Sequence, residues 1–372
     1  MNPRDSIVLV GNSVRYLAQS ARAAGVAVTA VDGFCDADTR EASEHHQCAS
    51  GLTPGHLSDA ARGILEGRDS AWVYGAGFES RPSELLALTR HNRHVVGNDP
   101  STLQLLADPR RLFALLSELD IPHPETKFEP VPADSGWLIK PAGGSGGLDV
   151  RRYTATERLA DDAPVYLQRF VNGALCSLLF VADGTELEVI GFNRPLARFA
   201  SAGDYRFAGV IGGLAPGEAV EHGMLTAARR LTRTLGLRGV NGIDFVMDRG
   251  RPLFIDLNAR PTAALELYED VLPAGGYLCH VNGCRGELTV ASTPRTVRGM
   301  RVVYARQSLR VGAIDWPAWV TDRPVPGEYI PADQPLCTVH AQGPDRETVE
   351  ARMRERFDGA CRLLVARNEY AA

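Results

Sequence analysis

Apolar positions in the first hundred residues fall in short continuous runs separated by polar, glycine-ended stretches, the pattern of buried parallel strands joined by helices. S-I-V-L-V-G-N-S at 6–13 predicts a strand running into a Gly-Asn-Ser turn, and the stretch from Val14 predicts an amphipathic helix stopped by Gly25. V-A-V-T-A-V-D, closed by Asp32, predicts a second strand. Strand, helix and strand in that order form a right-handed parallel unit whose ligands sit at the carboxyl ends of its strands. Gly11, Asn12, Ser13, Arg15 and Asp32 gather at that end. They are candidate substrate-binding residues, with Arg15 suited to bidentate capture of a carboxylate. Helix capping by Asn12 or Ser13 accounts for the same turn without a ligand, and the dinucleotide fingerprint G-x-G-x-x-G is absent.

Further along, the period changes. A helix is predicted from Asp99 through Leu119, ended by the two prolines of I-P-H-P. W-L-I-K at 137–140 reads as the end of a buried strand, and H-G-M-L-T-A-A-R-R-L-T-R-T-L as a helix closed by Gly236. Residues 239–260 are two apolar strands joined by the polar turn Asp248-Arg249-Gly250-Arg251, a hairpin signature. Strands M-R-V-V-Y-A and L-C-T-V-H-A flank a proline-rich stretch, and an arginine-rich helix starts at Arg346. These changes divide the chain into an α/β unit at 1–97, a lobe at 98–165, a second lobe at 166–290 and a β-rich tail at 291–372. No internal repeat stands out.

Candidate chemistry enters through the rarest residue. Only two lysines stand beside 38 arginines, and one of them, Lys140, precedes the glycine-rich G-G-S-G-G. Gly143, Gly144, Ser145, Gly146 and Gly147 can expose successive backbone N–H groups as a nest for phosphate oxygens. The lysine supplies a compact charge with three rotatable donors, which suits a triphosphate; a glycine-rich hairpin with a surface lysine is the plain alternative. In the hairpin, Asp256 and Asn258 alternate with Leu257 and so share a face, with Asp244 on the neighbouring strand. Two carboxylates and an amide oxygen form a hard donor set that suits magnesium held jointly with substrate phosphates. Arg260 follows on the same face, where a guanidinium holds a transferring phosphoryl group. A polar edge strand with a surface salt bridge is the alternative here.

Together these segments resemble the ATP-grasp superfamily, whose members share a strand lysine, a glycine-rich loop and a late metal hairpin. The resemblance implies an α/β protein with α+β lobes: an ATP-grasp fold with an N-terminal Rossmann-like pre-ATP-grasp domain and a small β-rich C-terminal segment. It implies ATP and magnesium as cofactors, with manganese an acceptable substitute. Lys140 would contact the nucleotide, residues 143–147 would form a flap over the phosphates, and Asp244, Asp256 and Asn258 would hold the metal. V-Y-L-Q-R-F-V-N-G places Gln168, Arg169, Phe170 and Val171 at the hinge that cradles adenine. Pro109 stands where the family has its first ATP lysine, so Arg110 or Arg111 is the candidate substitute. The N-terminal string with V-D-G-F-C-D-A-D-T-R, Y-G-A-G-F-E at 74–79 and N-A-R-P-T-A-A-L-E-L at 258–267 looks like the predicted ATP-dependent carboligases distantly related to biotin carboxylase. That likeness suggests a biosynthetic role around one-carbon cofactors of methanopterin or methanofuran type.

The activity so implied joins a small-molecule carboxylate to an amine or thiol through an acyl phosphate, releasing ADP, with Lys140 and Arg260 as catalytic residues. Arg194, Arg198, Tyr205 and Arg206 offer further anion contacts. A biotin-type carboxylase is an alternative, but T-A-A-L follows Arg260-Pro261 where that family has Q-V-E-H, so its bicarbonate base is missing. A small-molecule kinase and an ATP-binding regulatory protein without turnover are the other readings. Formal net charge of −5 gives no support to a general nucleic-acid binder. No apolar run approaches the ~20 residues of a membrane span, and the polar start leads straight into a strand. A cytoplasmic enzyme is expected, with a homodimer left open. Seven scattered cysteines predict free thiols; His45, His46 and Cys48, or Cys279, His280 and Cys284, lack the paired spacing of a zinc site, and the first cluster lies in a predicted loop.

Overall fold

The computed structural model describes residues 2–49, 55–66, 69–132, 136–154, 165–199, 203–367 and 369–370. The N-terminal unit contains β1 (Ser6–Gly11), α1 (Arg15–Ala23), β2 (Ala27–Asp32), α2 (Ala37–Ala42), β3 (His45–Cys48), α3 (His56–Leu65), β4 (Trp72–Tyr74) and α4 (Pro82–His91). The strands are parallel in the order β3-β2-β1-β4. Buried Val8 and Val10 pack on one face of β1 and buried Ile7 and Leu9 on the other, which is why the run is continuously apolar.

Two expectations fail in this unit. His45–Cys48, predicted as loop, is the edge strand β3, and Cys35 and Cys48, predicted as free thiols, form a disulfide with a Cα–Cα distance of 5.4 Å. Parallel pairing sets Cys48 beside Asp32, and Cys35, with φ of 56°, turns the chain back just beyond β2. Strand order creates that proximity, and sequence spacing does not reveal it. The other described cysteines are free. His280 accepts from the Val240 N–H at Nδ1 and donates from Nε2 to the Val96 carbonyl, while burial pushes its pKa down to about 4. It is a neutral structural imidazole with both nitrogens engaged.

The single helix predicted from Asp99 to Leu119 is two, α5 (Pro100–Leu106) and α6 (Pro109–Glu118). Pro109 has no N–H to continue the ladder and drives Asp108 out of the helical region; the Asp108 carboxylate then caps α6 through the Arg110 and Arg111 N–H groups. A small antiparallel sheet follows, made of β5 (Thr126–Lys127), β6 (Trp137–Pro141), β7 (Arg151–Arg152) and β8 (Val165–Arg169) in the order β5-β8-β6-β7. Since β8 pairs with β6, the change to the next sheet falls after Arg169.

That next sheet has eight antiparallel strands. The chain from there on runs β9 (Leu175–Asp183), β10 (Leu187–Phe199), β11 (Asp204–Leu214), α7 (Glu218–Leu235), β12 (Arg238–Asp248), β13 (Arg251–Asn258), a 3₁₀ helix (Ala263–Val271), α8 (Gly275–Cys284), β14 (Val297–Tyr304), β15 (Leu309–Arg310), β16 (Val320–Thr321), β17 (Tyr329–Ile330), β18 (Pro335–Gly343), α9 (Arg346–Arg367) and β19 (Glu369–Tyr370), of which β15, β17 and β19 form a separate small sheet. Strand order is β13-β12-β9-β10-β11-β14-β18-β16, so hydrogen bonding between β11 and β14 carries the sheet without a break into the tail. Arg249 and Gly250, with φ of 48° and 83°, make the tight turn of the β12–β13 hairpin. One face of the sheet packs on α7 through Phe180, Phe245 and Phe254; the other takes the N-terminal unit, the 3₁₀ helix and α8 through Leu179, Val181 and Val240. Buried Asn98 ties the N-terminal unit to β12: its amide donates to Asn241 and to the Ala259 carbonyl, and its oxygen accepts from the Arg238 N–H. No described helix is long and apolar enough to cross a membrane.

Candidate active site

Register places the acidic groups. Asp256 of β13 pairs with Asp244 of β12, Asp244 with Ser177 of β9, and Ser177 with Asn193 of β10. Directly paired residues point to the same side of a sheet, so these four form a polar line across one face. Burial pushes the Asp244 carboxyl up to about 7, helped by the charge of Asp256, against the pull of Arg260 and Lys140. Asp256 is also pushed up by burial, and Lys140 and Arg260 again oppose the shift. The Asn258 amide nitrogen lies 3.3 Å from Asp244 and 3.4 Å from Asp256, and its oxygen accepts from Arg260 at 2.9 Å.

Two facing carboxylates that resist ionisation together are the donor set a hard divalent cation relieves, and turning the Asn258 amide end for end adds a third oxygen. Magnesium fits this hairpin. Among the described residues no group of three or more His, Cys, Asp or Glu side chains has metal-centre spacing, because the third donor here is an amide.

Lys140 reaches the same region from the small sheet. Its ammonium lies 3.3 Å from the Gln168 oxygen and 5.7 Å from the centre of the Tyr166 ring. Gln168 is buried, and its Nε2 has no hydrogen-bond partner. A buried amide donor left over beside the lysine is a group a ligand would satisfy.

The glycine-rich loop lies folded over the crevice. Gly143 and Gly147 adopt φ of 64° and 71°, which glycine reaches without strain. A side chain at Gly143 would run into the Glu79 carbonyl, and one at Gly147 into the Tyr205 carbonyl. The Phe207 N–H donates to the Gly146 carbonyl at 2.8 Å, so the loop is pinned to β11. Ser145 donates to Glu79 at 3.3 Å and accepts from Arg260 at 3.4 Å.

Glu79 is the residue that sequence reasoning missed. It extends from the loop between β4 and α4, meets the Arg260 guanidinium at 2.5 Å, and accepts from the Gly77 N–H at 2.7 Å. Burial alone would raise its pKa, but Arg260 and the Gly77 N–H outweigh it and hold the carboxylate below its ordinary range. Its only signal in the sequence is Y-G-A-G-F-E, which carries a likeness without a role. Glu79, Ser145 and Arg260 bring the N-terminal unit, the flap and the large sheet together at one point.

Other candidates are placed elsewhere. Arg15 is 4% exposed and already engaged: it grips Glu266 through Nη1 and Nη2 at 2.7 and 2.5 Å, and Asp322 through Nε at 2.6 Å. The expected capture of a substrate carboxylate is thus replaced by a bond to two protein carboxylates from the 3₁₀ helix region and the tail. Asp32 is buried, accepts the N–H groups of Val14, Phe34 and Cys35, and shapes the turn. Gly11 packs against Val14 and Gly75, and Asn12 is pressed between Gly33 and Gly77. Ser13 stays exposed beside them.

Arg194 pairs with Ile211, whose side chain packs with Val349 and Met353 of α9, so it points away from the Asp244 face. Tyr205 stays near the flap, its ring 6.4 Å from Phe170 and its buried hydroxyl without a partner. Phe170 donates its N–H to the Gly136 carbonyl and carries the Arg152 guanidinium 3.5 Å over its ring, Arg169 is exposed over Trp137, and Val171 is half-buried. Arg110 is exposed and stacks on Phe128 at 4.5 Å.

Two outcomes follow from this geometry. Arg15→Ala leaves Glu266 and Asp322 without their cation, and is expected to cost about 3 kcal/mol in denaturant unfolding while leaving ATP-analogue affinity unchanged. A variant as stable as the parent would show the cluster to be idle. The second concerns Asp244. A folded-state pKa of about 7, above the ordinary carboxylate value, means the folded chain binds a proton that the unfolded chain lacks. Metal-free protein therefore loses stability as pH rises through that value, and added magnesium should raise the melting temperature more at about pH 8 than at about pH 6. Asp32 shifts the same way, so Asp244→Asn is expected to flatten the pH slope only in part while abolishing the magnesium effect. Equal magnesium stabilisation at both pH values would refute the assignment.

Comparisons with known proteins bear on the fold. Residues 106–264 match the family model described as ATP-grasp domain. The arginine-specific large chain of carbamoyl phosphate synthase from Bacillus subtilis is 26% identical over 203 residues, 50% of this chain and 20% of that one, so the match spans a fifth of that relative's length. An uncharacterized protein of Methanocaldococcus jannaschii is 20% identical over 356 residues, 90% of this chain and 88% of its own. Biotin carboxylase from Campylobacter jejuni, solved with β-γ-ATP, superposes with a TM-score of 0.75 at 14% identity, covering 96% of this chain and 92% of that one. The carboxyaminoimidazole ribonucleotide synthase of Aspergillus clavatus, complexed with ATP, gives 0.70 at 13% identity, with 96% and 99% covered. The chain has the ATP-grasp fold, on an architecture shared with biotin carboxylase, and its residues 106–264 are similar to the ATP-grasp domain.

Proposed function

We propose that this chain is an ADP-forming ligase that activates a small-molecule carboxylate as an acyl phosphate and transfers the acyl group to an amine or thiol. The observation that carries this reading is the half-buried Asp244–Asp256 pair flanked by Lys140 and Arg260 beneath a folded glycine flap. Such a set binds and neutralises phosphates, and phosphoryl transfer asks for little else from side chains.

In the first step a substrate carboxylate oxygen attacks the γ-phosphorus of ATP. The new O–P bond forms as the bond to the β-phosphate oxygen breaks, and ADP leaves. In the second step the amine attacks the acyl carbon, the C–O bond to phosphate breaks, and the amine proton goes to the departing phosphate. Magnesium, when bound, would neutralise the phosphate oxygens at Asp244, Asp256 and Asn258. Lys140 and Arg260 spread the charge that develops, Gln168 supplies its free amide donor to the nucleotide, and residues 143–147 keep water from the acyl phosphate. Glu79 holds the Arg260 guanidinium in register while Ser145 touches both.

The fold is also that of carboxylases, which makes bicarbonate activation the second reading. After Arg260, however, Pro261 to Leu265 contain no carboxylate, and the first one, Glu266 in the 3₁₀ helix, is bound to Arg15. A base for bicarbonate is missing there, so the ligase reading stands ahead.

Lys140→Ala is expected to weaken a nonhydrolysable ATP analogue with magnesium at least tenfold, on the order of 1.4 kcal/mol, by calorimetric titration. Unchanged affinity would remove Lys140 from the site. Asp256→Asn combined with Asn258→Ala should keep the fold yet abolish ADP release from a panel of carboxylates and amines. In the parent protein each ADP should be matched by one free phosphate. A stable phosphoester in its place would make the protein a kinase.

A further inference from the structure

The face of the large sheet opposite the Asp244–Asp256 pair carries a groove that no step of the ligase chemistry uses. Gly299 of β14 turns toward α9, where an added side chain would meet Met353 and Val349, and Val303 packs with Ala360 and Leu364. Register carries Leu196 of β10 and Gly209 of β11 onto that face with Arg301. Between these strands and α9 lies a cavity of about 390 Å³.

Charge sorts the ligands this cavity accepts. Four arginines, Arg198, Arg301, Arg306 and Arg354, stand on its walls against a single acid, Glu350, in a chain whose formal net charge is −5. Arg198 is taken by Asp333 at 2.8 Å, but among the described residues no ion pair engages Arg301. Arg301 is half-buried with its guanidinium 4.0 Å above the Phe357 ring, and burial lowers its pKa. Asp358 attracts this cation without pairing with it and Arg354 adds a second positive charge, so the half-desolvated guanidinium favours an arriving anion, and Met353 and Phe357 beside it offer an apolar surface. An apolar pocket with a few convergent charges is the ordinary make-up of a small-molecule site.

We propose that this groove is a second ligand site for a small organic anion, with a carboxylate or phosphate group against Arg301 and Arg354 and an aromatic or aliphatic body on Phe357 and Met353. It lies apart from the nucleotide crevice and stands whether or not the chain is a ligase. The groove wall is two hydrogen bonds from the flap: Tyr304 donates to the Phe207 carbonyl at 2.5 Å, and the Phe207 N–H donates to Gly146.

The probe is 8-anilinonaphthalene-1-sulfonate, an aryl sulfonate whose fluorescence rises on binding, titrated into the full chain with magnesium and a nonhydrolysable ATP analogue in excess. One saturable site is expected, weakened about tenfold or more in Arg301→Gln with Arg354→Gln, while the melting temperature and the affinity for the ATP analogue stay at parent values. Should the double variant melt early, Arg354→Gln alone, at an exposed position, is expected to weaken the probe about threefold or more without loss of stability. Absence of a saturable site in the parent, or equal affinity in parent and folded variant, overturns the proposal.

Discussion

Two carboxylates placed opposite each other on neighbouring strands repel, and much of the molecule is organised around that repulsion. Asp244 and Asp256 are held opposite each other by the register of a tight hairpin. Burial worsens the conflict and pushes both pKa values up. The chain answers with cations from two other places, Lys140 from the small sheet and Arg260 from just beyond the hairpin. Neither cation forms a close ion pair with the two aspartates, so the negative site is moderated and left available to a metal with phosphates.

Arg260 in turn has to be aimed, because a guanidinium on a flexible stem fixes nothing by itself. Glu79 does the aiming, and it comes from the N-terminal unit. Ser145, at the middle of the flap, touches both members of that pair. Three segments far apart in the chain therefore meet at one guanidinium. Relative placement of the N-terminal unit matters to the site for this reason, and Asn98 and Arg15 secure it. Asn98 satisfies the Arg238 N–H of β12 and the Ala259 carbonyl just beyond β13; Arg15 bridges the 3₁₀ helix and the tail. Buried polar groups so used hold modules in one orientation, since any shift would leave them unpaired.

Continuity of the large sheet gives the same result by another route. Because β11 pairs with β14, the tail extends the sheet that carries the β12–β13 hairpin, and the two faces of that sheet acquire different chemistry. One face holds the acidic line and meets the N-terminal unit. The other packs on α7 at one end and on α9 at the other, where arginines gather.

Most local elements and the placement of the hairpin side chains were legible in the sequence because their causes are local. Period-two alternation sets Asp256 and Asn258 on one face, a polar Arg-Gly turn closes the hairpin, and glycines after Lys140 leave no side chains to block a phosphate. What depended on contacts between distant segments was not legible. Asp108 and Pro109 did carry a local signal for a break between two helices, obscured by the apolar period that runs across it. Cys35 and Cys48 gave none, because only parallel strand order brings them together. Arg15 looked free at a strand end, since the two carboxylates that bind it lie at 266 and 322. Glu79 looked like one acid among many, and it gains its role only where Arg260, 181 residues later, reaches it. Alternation and turn chemistry act over a few residues and are written along the chain; ion pairs close across the whole fold, and their partners exist only once it has formed.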